Sequence, residues 1–218
     1  MAPDRARPST RALVVVGVVA VLLLGLLAGC SSGSSGTASE APPVTDPVAP
    51  VVYVALGGME TLNADRRDLP DNWPQLLFAE HMAPGGVYVN LATEDGTVKN
   101  AIDGQLPAAL GAHATVATVW LESADLRLGT PLRVYRDELT TLVDDLQAGG
   151  MKVYLLRSGP SVPTDVAAPL QSTVAVVAGQ TGATLVDLGD ISDRNDDAGQ
   201  RRIADTVAAA IGADLGGR

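Results

Sequence analysis

Cysteine is almost missing from this chain: of 218 residues, only Cys30 is one. Everything after it is therefore without an intrachain disulfide, a cysteine metal site or a thiol nucleophile, and the folded part depends on its core for stability. Histidine is nearly as scarce, with only His81 and His113. Aromatic residues make up 3% against 46% hydrophobic residues in all, so the core is aliphatic, built of Ala, Val and Leu. Basic residues are outnumbered, giving a formal net charge of −10. A surface of that sign argues against nucleic acid as a partner and against electrostatic docking on anionic lipid headgroups. There is also no internal repeat.

What is present begins at the amino terminus. Arg5, Arg7 and Arg11 precede an apolar run from Ala12 that ends in Leu27-Ala28-Gly29-Cys30. The run is short for a helix crossing a ~30 Å hydrocarbon core, and its order, basic then apolar then small, reads as an export signal over residues 1–29. A signal that closes on cysteine resembles the lipobox of bacterial lipoproteins. The resemblance implies that Cys30 becomes the first mature residue and carries acyl chains, palmitate among them, on a thioether-linked diacylglycerol. At about 0.8 kcal/mol per buried methylene, several chains make a durable anchor. The expected location is the extracytoplasmic face of the cell membrane, held through Cys30. The signal carries Arg5, Arg7 and Arg11 against Asp4, a net of +2, so the mature chain stands near −12. Residues 30–50, mostly Ser, Gly, Ala, Thr and Pro, cannot bury enough surface to fold and read as a flexible tether. Its typical reach is roughly 25 Å.

Residues 51–218, 168 in all, form the expected domain. A chain of that length buries about 70% of its unfolded surface and folds without staples. Five apolar runs read as buried strands: Val51–Leu56, Gly86–Leu91, Thr115–Leu121, Lys152–Leu156 and Ala183–Leu188. Helical segments alternate with them, at Trp73–Met82, Val98–Leu110, Thr164–Thr181 and from about Asp197 to a stop at Gly212. The sharpest has Thr130 as N-cap and Pro131 at the first helical position, with a stripe of Tyr135, Leu139, Leu142 and Leu146, ended by Gly149-Gly150. Strands alternating with crossover helices predict an α/β fold, a doubly wound parallel five-stranded sheet in three αβα layers, flavodoxin-like in plan. Ligands collect beyond the carboxyl ends of such strands. The loops to inspect are thus Gly57–Asn72, Ala92–Thr97, Glu122–Gly129, Arg157–Val162 and Gly189–Asp196.

At those loops the chain resembles the SGNH, or GDSL, hydrolases. Leu56-Gly57-Gly58-Met59-Glu60-Thr61 falls where that family has a strand followed by Gly-Asp-Ser-x-Thr. Pro70 to Leu77 is similar to the entry of its first helix, and Asn90-Leu91-Ala92 with Gly96 to its second block. Trp120-Leu121-Glu122-Ser123-Ala124-Asp125 lies where many members carry Trp-Leu-Gly-x-Asn-Asp. Asp197-Ala198-Gly199 with Ile203-Ala204 resembles the segment after the catalytic Asp-x-x-His. The resemblance implies an esterase site of serine, histidine and aspartate, with a glycine N–H and an asparagine side chain stabilising the oxyanion. Here the serine position is Met59, the preceding aspartate is Gly58, the asparagine is Ala124, and the histidine falls near Arg194. Only Gly96 survives. A thioether has no proton to lose, and a guanidinium stays protonated at neutral pH.

No other residue replaces them in the sequence. His113 precedes the third strand at the amino edge of the sheet, and His81 lies at the far end of a helix; both read as surface or packing residues. Thr61, Ser123 and Ser158 are hydroxyls near the right edge with no visible base, as expected of turns and caps. Glu60, Glu122, Asp125, Asp187, Asp190 and Asp193 lie near the same edge, but their spacing matches no calcium loop, so neither metal nor cofactor is expected. Gly57-Gly58 reads as a tight turn rather than a phosphate cradle. Arg66, Arg67, Arg157 and Arg194 read as partners of those acids, and Trp73 and Trp120 as packing residues. The expectation is a lipid-anchored module without catalytic Ser, Asn or His that uses the family cleft to bind an envelope glycan, lipid or protein. The alternative is an ester or acetyl hydrolase working through another constellation.

Overall fold

The described residues of the computed structural model are 50–62, 72–82, 84–158, 164–189, 191 and 194–215. The signal segment, Cys30 and the tether through Ala49 lie outside them, as do Arg66, Arg67, Asp190 and Asp193. The unit Pro47–Arg218 holds the whole sheet and both of its apolar cores, which is what a domain needs to fold alone.

The five apolar runs become β1 (Val52–Gly57), β2 (Val87–Asn90), β3 (Val116–Trp120), β4 (Lys152–Ser158) and β5 (Thr184–Leu188). All pairings are parallel, in the spatial order β2-β1-β3-β4-β5. The helices among the described residues are α1 (Met59–Leu62), α2 (Trp73–His81), α3 (Val98–Asn100), a π-helical turn (Ala101–Gln105), α4 (Leu106–Gly111), α5 (Ser123–Leu128), α6 (Leu132–Ala148), α7 (Thr164–Thr181) and α8 (Asp197–Leu215). Side chains alternate across the sheet. Tyr53, Ala55, Trp120, Tyr154 and Leu156 pack with Trp73, Leu77, Ile203 and Val207 of α2 and α8. Val54, Leu56, Val119, Val153 and Leu155 pack with α3, α4, α6 and α7 on the other face. Burial on both faces is why the strands read as continuous apolar runs. The expected three-layer, doubly wound sheet is therefore present.

Several local expectations differ from the structure. Thr130 does not cap α6, which starts at Leu132 behind Pro131 without a side-chain cap. Its hydroxyl instead donates to Asp125 Oδ1 at 2.8 Å, which supplies a carboxylate on a buried residue with one of the donors it needs. The helix expected over Val98–Leu110 is broken by the π-helical turn, in which the Leu106 N–H reaches back to the Ala101 carbonyl. Pro107 follows at once, and it has neither an N–H nor room for the carbonyl four residues before it. Gly212 does not stop α8, which runs to Leu215. A glycine ends a helix when it turns left-handed; Gly129 does so after α5 and Gly150 after α6, and Gly212 does not. The short helices α1 and α5 occupy stretches expected to be loops.

Candidate functional site

The turn after β1 is built by backbone contact. Gly57 N–H donates to Gln105 Oε1 at 2.9 Å, and Gln105 Nε2 donates back to the Gly57 carbonyl at 3.0 Å. Gly96 presses against the same turn: a Cβ there would stand 2.4 Å from the Gly57 oxygen and 2.6 Å from Gly58 Cα. Only glycine fits. Its N–H donates to the Thr93 carbonyl at 3.2 Å, so the surviving family position spends its donor inside its own loop. Met59, expected at the nucleophile position, opens α1 with 37% of its surface exposed and offers a thioether there. Thr61 is buried beneath Gly57, where a glycine Cβ would collide with its hydroxyl.

The segment after β3 has two roles. Ala124, expected at the asparagine position, is buried and donates nothing from its side chain. Asp125 is a structural tie: Oδ2 accepts from the Val98 N–H at 2.9 Å, holding the start of α3, while Oδ1 accepts from Thr130. Burial raises its pKa, and these two hydrogen bonds oppose the rise. Glu122 points to a different neighbour. Its Oε2 accepts from the Ser158 N–H at 3.1 Å and from the Ser158 hydroxyl. Only 5% of Glu122 is exposed, and burial pushes its pKa up to about 7, against the hydrogen bonds from Ser158 and the charge of Arg194. Ser158 also accepts from Trp120 Nε1 at 3.4 Å. The expectation that Ser158 has no carboxylate or other base beside it is thus corrected.

Arg194, near the histidine position, lies with its guanidinium 6.0 Å from the centre of the Trp120 ring. Its Nε donates to the Ile191 carbonyl at 2.8 Å. Burial lowers its pKa, and the carboxylates of Glu122 and Glu60 oppose that, so it remains a cation rather than a base.

These groups surround a cavity of about 420 Å³ at the carboxyl edge of the sheet. Glu60, Glu122, Arg127, Ser158, Gln171 and Arg194 supply polar lining; Leu126, Val166, Ala167 and Leu170 supply the apolar wall. Ser123 also lines it. Met59, Gly96 and Ala124 do not. The other sequence candidates are dispersed. Asp187 pairs with Arg157, whose guanidinium hydrogen bond holds the carboxyl below its usual range. His81 contacts Asp205 at 3.0 Å on the outer side of α2 and α8, and His113 takes a left-handed turn (φ 52°) between α4 and β3. Neither lines the cavity. Of the acids expected at this edge that lie among the described residues, only Glu60 and Glu122 line the cavity. Among the described residues, Glu80, His81 and Asp205 are the one group spaced closely enough to hold a metal ion; all are exposed, and Glu80 is already bonded to Arg201.

Sequence reasoning missed the Glu122–Ser158 pair because the two residues stand 36 positions apart. They meet only because β3 and β4 are neighbours, and a strand order was needed to find them. The signal was there in part: Glu122 directly follows the apolar run Thr115–Leu121, and Ser158 stands two residues beyond Leu156.

No protein-family model matches the sequence, and no curated protein matches it. Solved structures do. A psychrotrophic esterase EstA from Pseudoalteromonas sp. aligns with a TM-score of 0.62 and 20% identity, over 75% of this chain and 98% of its own. A putative lipolytic protein of the G-D-S-L family from Desulfitobacterium hafniense gives 0.64 and 12%, over 73% and 99%. A putative GDSL-like lipase from Parabacteroides merdae gives 0.59 and 13%, over 74% and 95%. The domain therefore has the SGNH-hydrolase-like fold of GDSL esterases and lipases.

Proposed function

We propose that the chain is a lipoprotein of the extracytoplasmic membrane face, anchored by acyl chains on Cys30, whose SGNH-like domain binds an envelope ligand without hydrolysing it. A fold carries no activity by itself; the site does. The observation that carries the reading is at the β1–α1 turn. Met59 stands at the nucleophile position, the Gly96 N–H is spent on Thr93, and Ala124 and Arg194 replace an oxyanion donor and a base. Losing one member of such a machinery costs several orders of magnitude in rate.

Met59→Ser alone is expected to leave p-nitrophenyl ester turnover at background, since no base stands behind the new hydroxyl. Gain of activity needs at least Met59→Ser, Ala124→Asn and Arg194→His together. Clear turnover by the single variant would show that a base had been overlooked. Anchoring is tested separately: Cys30→Ser should move the protein from the membrane fraction to the soluble one, and a protein still sedimenting with membranes would refute it.

One observation favours the hydrolytic alternative. Ser158 donates to a carboxyl group whose pKa is about 7, the pairing a general base makes with a nucleophile. If Ser158 attacks esters, Ser158→Ala abolishes a turnover that the wild-type domain displays.

A further inference from the structure

Glu122 is the feature of the cavity that neither the fold nor the family resemblance explains. In the resemblance its position belongs to glycine, yet this chain places a buried carboxyl group there. Oε2 is taken by both donors of Ser158. Oε1 is closed off from bulk water and has no hydrogen-bond partner among the described residues. A buried carboxylate oxygen without a donor costs on the order of 1–3 kcal/mol or more, a cost a protein retains where a ligand removes it. Glu122 itself forms part of the cavity wall, so a donor that enters the cavity meets the carboxyl group that bears Oε1.

The charges around it select the sign of the missing donor. Glu60 lines the same cavity and raises the Glu122 pKa through like charge, whereas Arg194 is the cation that lowers it. Arg127, at the rim, pairs outward with Asp95 at 3.7 Å. With Glu122 ionised, two carboxylates face Arg194 and Arg127, and of these two cations Arg127 already has Asp95 as its partner. A ligand that brings one positive charge balances the site, and one that brings a negative charge does not. The remaining wall, Leu126, Val166, Ala167 and Leu170, is aliphatic, and cavities of this size hold small ligands.

We propose that the cavity binds a primary ammonium with an apolar body, the ammonium donating to Glu122 Oε1 and the body lying along Leu126, Val166, Ala167 and Leu170. This rests on the binding reading above and names the chemical class of its ligand. A primary ammonium has three donors and no acceptor, so it meets an orphan acceptor without leaving a polar atom of its own misdirected, and its charge strengthens the bond.

The test uses the domain Pro47–Arg218 at pH 8 and three probes of one chain length: hexylammonium, hexanol and hexanoate. Titration calorimetry, or amide shifts in a nuclear magnetic resonance titration, gives the three affinities. Hexylammonium should bind about tenfold or more tighter than hexanol, with hexanoate weakest. In Glu122→Gln, the amide oxygen satisfies Ser158 and the NH2 group takes the place of Oε1. The hexylammonium preference should then fall about tenfold, while hexanol changes little. Glu60→Gln leaves Ser158 untouched and should lower the same preference about threefold, which keeps the test decisive if the first variant misfolds. Equal binding of hexanol and hexylammonium overturns the ammonium site but leaves a non-hydrolytic binding cleft standing, as does loss of neither variant's preference. Failure of hexylammonium to bind at all also overturns it. Ester turnover by the same domain overturns the binding reading instead.

Discussion

At the scale of single residues, Glu122 dominates. Burial raises its pKa from 4.5 to about 7, so between those values the folded state holds a proton that the unfolded chain releases. Stability from this group is therefore greatest below about pH 4.5, falls as pH rises through 7, and is level above. The shift corresponds to roughly 3 kcal/mol across that window. Glu122→Gln should remove most of this fall, which denaturant melts at pH 5 and pH 8 would reveal as a flatter dependence than in the wild type. An unchanged slope would mean that Glu122 ionises freely in the folded protein. Residues such as this were the least legible part of the sequence. Met59, Ala124 and Arg194 could be placed by their positions along the chain. Whether Ser158 had a partner depended on which strand lies beside which, and one chain's sequence does not state that.

At the scale of elements, legibility was higher and its failures have physical causes. Runs such as Val51–Leu56 and Lys152–Leu156 are strands because both faces of the sheet are covered, and the stripe from Tyr135 to Leu146 is buried along one side of α6. Thr130 was misleading since its cap pattern is local, whereas Asp125, which wins its hydroxyl, is held by the start of α3. The turn after β1 depends on a contact of the same long-range kind. Gly96→Ala would force a Cβ into the Gly57–Gly58 backbone and should cost about 3 kcal/mol or more. Gly104→Ala, with nothing within 4 Å of the added atom, should raise stability by about 0.5–1 kcal/mol. Thermal melts of the two single variants provide the comparison. Similar small changes in both would show that the turn gives way, and that Gly96 does not fix it.

At the scale of the whole molecule, sheet order and chemistry diverge. The order β2-β1-β3-β4-β5 brings the ends of β1, β3 and β4 to one edge, and GDSL esterases share the fold. At that edge this chain gathers Glu60, Glu122, Arg127, Ser158 and Arg194 around a cavity with an aliphatic wall, with no histidine among the described residues that line it. Architecture was readable from alternating runs. The cavity that remains was not, because it is formed by residues from five segments, including α7, which carries no family motif. The measurement that tests the reading most directly is turnover of p-nitrophenyl acetate by the domain Pro47–Arg218 beside an active GDSL esterase. Rates at the uncatalysed background are expected. A rate within about a hundredfold of the active enzyme, a smaller loss than removal of a triad member causes, would contradict it and make the Glu122–Ser158 pair the first place to look for the nucleophile.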